Sequence, residues 1–269
     1  MTGTLIPLIP TEQPLRFRLD VVDGLCVGPP GNVFLFGGIG LAAAVAAMKR
    51  VVGREPVFAA VQFASFARIG SLLDLEVAIS ATGRNISQAS VVARVGEETI
   101  FTASGAFGDR LGQPVHQWIA MPDVPTPEDC VEAPIWPRQG AGFNERLAVR
   151  FASGSLGTRV RDGSIDGAGR LQFWARPVED VPLDETLLTI LGDFLPAGVG
   201  SALGRWGGGN SLDNTVRFRA MVPTRWIFCD IQIAAVDRGF GHGEVRLFAE
   251  DGTLMAVASQ SLILRFPDQ

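Results

Sequence analysis

Val61-Gln62-Phe63, Gly83-Arg84-Asn85 and Glu98-Thr99-Ile100-Phe101-Thr102-Ala103 have counterparts in Val216-Arg217-Phe218, Gly239-Phe240-Gly241 and Gly252-Thr253-Leu254-Met255-Ala256-Val257. The pairs keep step at a spacing of about 155 residues, with only slight drift. A repeat that long means two copies of one domain, because solenoid units are typically ~20–50 residues. In a chain of 269 residues it makes two domains of ordinary size. The second copy carries polar side chains where the first has small or apolar ones, so the differences between the copies are where chemistry is to be sought.

Outward from these segments, each half runs in the same order: a short extended segment, a helix, then several strands. In the first half the extended segment is near Phe17–Val22 and the helix is Gly37–Val52, small and apolar on all faces from Leu41 to Ala47. A helix of that kind belongs inside something, and its alanines let a sheet approach closely. Strands follow at Val57–Phe66, Leu72–Thr82, Ile86–Val95 and Thr99–Phe107, punctuated by Gly70, Gly83 and Gly96. In the second half strands are expected near Ala148–Arg150 and Leu171–Arg176, and a helix near Asp184–Leu195. Further strands follow at Asn214–Arg219, Trp226–Val236, Gly243–Ala249 and Thr253–Leu264. Evenly spaced strands with short turns predict an antiparallel meander rather than βαβ units. Between the halves, Gly108–Asn144 carries Pro114, Pro122, Pro125, Pro127, Pro134 and Pro137, which predicts an extended linker. The expected division is an N-terminal domain over 1–110, a linker over 111–145 and a C-terminal domain over 146–269. The fold class is α+β: a central helix wrapped by an antiparallel sheet, twice.

Composition narrows the function. With 47% hydrophobic and 19% charged residues the chain can bury a sizeable core. A net charge of −5 without basic blocks argues against nucleic acid as a partner. Positive charge is almost all arginine, Lys49 being the only lysine. Three scattered cysteines (Cys26, Cys130, Cys229) and two histidines without ligand spacing (His116, His242) predict neither a disulfide framework nor a metal site. Cys229 reads as core and His242 as a surface residue of a hairpin. No cofactor is implied. The N-terminus lacks a basic region and is broken by prolines, unlike a signal peptide. The apolar run Val33–Met48 falls short of the ~20 residues of a spanning helix. A cytoplasmic location with no membrane span is the expectation.

Several segments resemble a known family, the double hotdog acyl-CoA thioesterases of the TesB type. In the first half they are Phe36-Gly37-Gly38-Ile39-Gly40-Leu41-Ala42, similar to the family's phenylalanine-glycine-glycine helix start, then Gly83-Arg84-Asn85-Ile86-Ser87 and Ile100-Phe101-Thr102-Ala103. In the second half they are Phe173-Trp174-Ala175-Arg176, Asp193-Phe194-Leu195-Pro196-Ala197, Ser211-Leu212-Asp213 and Ala258-Ser259-Gln260. The resemblance covers most of the chain and rests on the order and spacing of the segments. It implies two tandem hotdog domains, an acyl-CoA substrate and a homo-oligomer. It also implies hydrolysis by a water held between an aspartate on the second helix (Asp193), a hydroxyl (Ser211) and a glutamine in the last strand (Gln260). One departure stands: better-known members place the aspartate further before the proline, so a gap of two residues is needed here.

The side chains suit that chemistry. Asp193 can accept a proton, and Ser211 and Gln260 both donate and accept hydrogen bonds. Asp193 stands among Leu187, Leu188, Ile190, Leu191, Phe194 and Leu195, where burial would raise its pKa; a solvent-facing edge is the alternative. Pro196 is expected to disrupt the helix near Gly192. Ser211 could equally be a turn residue after Gly207-Gly208-Gly209-Asn210, a run read as a flexible loop that lacks the lysine of a phosphate cradle. Gly38, Asp213 and Gln232 are carried as substrate-contacting candidates; Asp213 could instead cap a turn and Gln232 lie on an exposed strand face. The alternatives to hydrolysis are a non-catalytic acyl-thioester binder and, less favoured, a hotdog enoyl-CoA hydratase, which ordinarily needs a histidine near a helix start. Shifted back by the repeat, Asp193, Ser211 and Gln260 fall near Gly38, Pro56 and Ala106, none able to do this chemistry. One site is therefore expected, with its polar groups from the second half and a wall of the pocket from the first.

Overall fold

The structure, a computed structural model, describes residues 4–132, 142–154, 168–205 and 207–266. The end of the proline-rich stretch, including Pro134 and Pro137, lies outside them. The first half contains β1 (Ile9–Pro10), β2 (Arg16–Asp20), β3 (Cys26–Val27), β4 (Phe34–Leu35), α1 (Gly37–Val52), β5 (Pro56–Phe63), β6 (Leu72–Thr82), β7 (Ile86–Val95) and β8 (Glu98–Gly108). The remainder contains β9 (Val131–Glu132), β10 (Leu147–Ser153), β11 (Arg170–Pro177), α2 (Glu185–Leu191) and α3 (Leu195–Ala202). It ends with β12 (Gly208–Phe218), β13 (Ile227–Asp237), β14 (Phe240–Ala249) and β15 (Leu254–Arg265).

All strands except β3 and β4 join one antiparallel sheet in the order β1-β2-β6-β7-β8-β5-β12-β15-β14-β13-β11-β10-β9. Read outward from the central β5–β12 pair, the two sides have the same topology. The register carries the repeat to single residues: Ala59 faces Gly105 on β5 and β8, and Asn214 faces Gln260 on β12 and β15. The first-half counterpart of Gln260 is therefore Gly105, one residue from the position read off the sequence. Across the centre Asn214 pairs with Val61 and Val216 with Ala59, so the two halves share backbone hydrogen bonds as well as a core.

The sheet curls around the helices. Leu41, Ala42, Ala43, Ala44, Val45, Ala47 and Met48 of α1 are fully buried, and the helix packs on β5–β8 on one side and α2 on the other. It ends at Gly53, whose left-handed φ of 70° lets its N–H close on the Lys49 carbonyl. Lys49 holds Glu55 at 2.7 Å and Glu185 of α2 at 2.8 Å, tying the two helices together.

The second half departs from the expected single helix near Asp184–Leu195. The helix starts as expected: Asp184 accepts from the N–H groups of Thr186 and Leu187, a cap typically worth ~1 kcal/mol. It stops at Leu191, and the chain restarts as α3 after Phe194. Pro196 is therefore in the first turn of α3, where its missing N–H forfeits no helical bond. The proline begins a helix rather than breaking one. Of the two pieces, α3 takes the place of α1, packing on β11–β14, while α2 serves as partner to α1.

The described part of the connecting segment lies on the outer face of the second half. Gln117 donates to the Gly252 carbonyl at 3.0 Å and accepts from the Leu254 N–H at 2.8 Å. The Trp174 indole donates to the Pro125 carbonyl at 3.0 Å. Met121, Val124 and Cys130 cover a cluster of Trp174, Trp226, Phe228, Phe248 and Leu254.

Candidate active site

Gly192, Asp193 and Phe194 form the gap between α2 and α3, and this gap faces the start of α1. Asp193 is 1% exposed. Its Oδ1 accepts from Ser211 Oγ at 3.1 Å, from Asn214 Nδ2 at 3.2 Å and from Gln260 Nε2. Gln260 Nε2 also donates to Ser211 Oγ at 2.5 Å. The short spacing between Asp193 and Pro196 thus leaves the carboxylate beside the serine and the glutamine, because the missing residues shorten the gap between helices and not a helix.

Ser211 reaches this cluster through a bulge. Asn214 and Val216 point inward, and strand alternation would turn Ser211, an odd number of positions away, outward. In the pairing with β15, however, Ser211 faces Leu262 and Asp213 faces the very next residue, Ser261, so Leu212 is the extra residue of a β-bulge. The bulge resets the alternation and puts Ser211 and Asn214 on one face. Gly208 and Gly209, expected in a loop, begin the strand. They lie so close to Pro196 and β15 that a Cβ on Gly208 would be 2.2 Å from the Pro196 carbonyl oxygen.

The first half comes as close as the second. A Cβ on Gly37 would sit 2.6 Å from Asp193 Oδ2, and one on Gly38 would sit 2.8 Å from the Ile190 carbonyl oxygen and 3.0 Å from Asp193 Cβ. These two glycines are the first residues of α1, so the positive end of that helix is directed at the carboxylate. Burial pushes Asp193 up from the usual carboxylate range to about 7, against hydrogen bonds from Ser211, Asn214, the Gly38 N–H and Gln260 that favour the ionised form. The Gly38 N–H is near enough to act on the charge but too poorly aligned to pair with Oδ2. That atom and Gln260 Oε1 are buried acceptors without a hydrogen-bond partner.

A cleft of about 1010 Å³ opens onto this cluster. Asp193, Ser211 and Gly37 line one part of it, and Phe34, Phe36, Phe63, Phe66 and Phe101 make much of the rest apolar. The first half therefore supplies most of the apolar wall.

The structure brings Asp193, Ser211, Gln260 and Gly38 together and leaves two candidates apart. Asp213 turns away from the cleft and accepts from the Ser261 N–H at 2.8 Å, holding β15 at the bulge. Gln232, on β13, donates to the Ala168 carbonyl at 2.9 Å and does not line the cleft. Cys229 is fully buried and His242 exposed, its Nδ1 3.2 Å from Ser261 Oγ. Among the described residues no group of three His, Cys, Asp or Glu could hold a metal ion, and no helix is long and apolar enough to cross a membrane. Asn214 is the site residue that sequence reasoning missed. Its signal was present: Asn214 and Val216 share the inward row of β12, where a polar residue calls for a buried partner.

Two hotdog units sharing one sheet, with a carboxylate, a hydroxyl and a carboxamide at the head of an apolar cleft, define a double hotdog thioesterase. The sequence matches the acyl-CoA thioesterase N-terminal domain over residues 28–108 and the acyl-CoA thioesterase C-terminal domain over residues 127–264. The chain belongs to the acyl-CoA thioesterase family of the TesB type, and is a hydrolase of thioester bonds. Among solved structures, a candidate thioesterase from Novosphingobium aromaticivorans is 35% identical, with a TM-score of 0.86 over 96% of this chain and 98% of that one. The TesB protein of Mycobacterium avium subspecies paratuberculosis is 22% identical, with a TM-score of 0.78 over 97% and 96% of the two chains. Acyl-CoA thioesterase II TesB2 of Mycobacterium marinum is 20% identical, with a TM-score of 0.75 over 98% and 97%. At those identities the last two speak for the fold alone. No curated protein matches the sequence.

Proposed function

We propose that the protein hydrolyses the thioester of a fatty or related acyl-CoA, using a water oriented by Asp193, Ser211 and Gln260. The observation that carries this reading is the convergence of those three side chains on one buried carboxylate at the end of an apolar cleft. The acyl group occupies the phenylalanine-lined part and the thioester carbonyl lies beside Asp193. Ionised Asp193 accepts a proton as the water oxygen bonds to the carbonyl carbon. Asp193 Oδ2 and Gln260 Oε1, the two unpartnered acceptors, suit the protons of that water. The negative charge that develops on the carbonyl oxygen is favoured by the positive end of α1. Collapse of the tetrahedral intermediate breaks the C–S bond, the thiolate leaves, and the proton held by Asp193 neutralises it. No covalent acyl-enzyme is needed.

A raised pKa fits this role, since a base is most effective with a pKa near the working pH. The function is tested by following free coenzyme A thiol over acyl-CoAs of increasing chain length, beside the Gln260→Ala variant. Release by the wild type and loss of about 100-fold or more in the variant is the expected result. Unchanged turnover in Gln260→Ala would sink the mechanism, and binding without thiol release would sink the activity. The two-domain division at residues 110 and 145 and assembly into a homo-oligomer are part of the same proposal. Size measurement by light scattering on the intact chain tests the assembly.

A further inference from the structure

Asn214 is 0% exposed and makes two hydrogen bonds through one nitrogen. Its Nδ2 donates at 3.2 Å to the Gly192 carbonyl and at 3.2 Å to Asp193 Oδ1. We infer that Asn214 is a positioning residue for the reaction, its carboxamide fixing the Asp193 carboxylate and the gap between α2 and α3 to the strand that carries Ser211. The inference rests on the reading of Asp193 as the base.

The repeat shows why a polar residue stands there. The counterpart of Asn214 in the first half is Ala59, beneath the unbroken helix α1, where every interior carbonyl is used by the helix. In the second half the helix stops, and a helix end leaves carbonyl groups without intrahelical donors. Gly192 is where the stopped helix touches the strands: a Cβ there would be 3.0 Å from Ala258 Cβ and 3.2 Å from Val216 Cγ2. With no room for solvent on that side, the donor has to come from the sheet, and Asn214 is the inward residue beneath. The same nitrogen then reaches the carboxylate of the next residue. One side chain thus satisfies the carbonyl that the gap exposes and fixes the direction of the group the gap presents.

A carboxylate that rotates away from Ser211 and Gln260 loses its alignment with the water but not the acyl cleft, which Asn214 does not line. The loss of Asn214 should therefore fall on kcat rather than on KM. The test uses Asn214→Leu, which removes both donations at similar size, and Asn214→Asp, which keeps the shape and replaces the donor with a carboxylate. Two quantities are read: kcat and KM against pH for the acyl-CoA that the wild type turns over fastest, and the titration of Asp193 by carboxyl carbon NMR. For Asn214→Leu, kcat is expected to fall about tenfold or more with KM within about twofold. The midpoint of both titrations should move upward, because the ionised form loses a donor. Asn214→Asp moves it further upward, through like-charge repulsion, and supplies the measurement if the leucine variant fails to fold. A midpoint that stays in place, with only the melting temperature lowered, overturns the inference and leaves Asn214 as a structural bond. Absence of thiol release from the wild type defeats the proposed function instead, while the NMR titration still decides the role of Asn214.

Discussion

The two halves of this protein place a helix over the same arrangement of strands, and only one of the two helices is whole. In the first half α1 runs unbroken for 16 residues, every buried position small or apolar, over strands whose inward residues are Ala59, Val61 and Ala103. In the second half the same space holds α3, eight residues long, preceded by a gap that presents Asp193. Beneath it the inward positions are Asn214 and Gln260. The comparison teaches that one domain was left to supply a rigid, positively ended helix and an apolar wall, while the other took on the polar groups. Neither half holds a complete site: the carboxylate is in the second, and the helix end against it is in the first.

The comparison can be broken most directly at Asp193. Asp193→Asn removes the base and should lower kcat by about 10²–10⁴-fold in a thiol-release assay. The same variant reports on stability. Because the folded-state pKa of Asp193 is raised to about 7, the favourable term from its protonated form is complete below the ordinary carboxylate range and is lost as pH rises through about 7. Denaturant midpoints should therefore fall between pH 5 and pH 8 more in the wild type than in Asp193→Asn. In the wild type, kcat should climb through the same pH window as the carboxylate ionises, and this limb should vanish in the variant.

The next largest effect is expected from a residue with no functional group. Gly38→Ala, in the first half, pushes a methyl group against Ile190 and Asp193. A displacement near 1 Å of a reacting group costs about 100-fold, so a loss of that order in kcat is expected although every polar side chain remains. Retention of full activity would mean that the halves do not share the site. Ser211→Ala should cost less, about 10- to 100-fold, from the loss of one donor to a charged group. The smallest effect belongs to the other face of the first half. Ala106 pairs with Phe58, away from the row of Ala59 and Gly105, so Ala106→Ser should leave turnover unchanged and create no second site.

Much of the fold was legible because it rests on local periodicity. The alanine-rich helix Gly37–Val52 and the strands Leu72–Thr82 and Ile86–Val95 are found at the bounds expected. The broken second helix was not legible. Residues 184–195 have the composition of one continuous helix, and what ends it at Leu191 is the sheet below, which admits Gly192 only because that residue has no side chain. Ser211 could be named from a resemblance, yet its direction depends on a bulge that exists only through pairing with β15. Asp213 and Gln232 were credible on polarity alone and point elsewhere, since a strand's sequence does not say which of its faces is the inner one.

The sequence by itself determined that the chain is a duplication, that each copy is a helix on an antiparallel meander, and that the chemistry is lopsided. Those conclusions follow from periodicity and from comparing residues within one chain. Only the tertiary structure decided that α1 of one copy aims its first glycines at the carboxylate of the other, and that Asn214 joins the cluster. The reason is physical: both depend on distances of 2–4 Å between residues far apart in sequence, which are fixed by how the two sheets merge and not by any local preference of the chain.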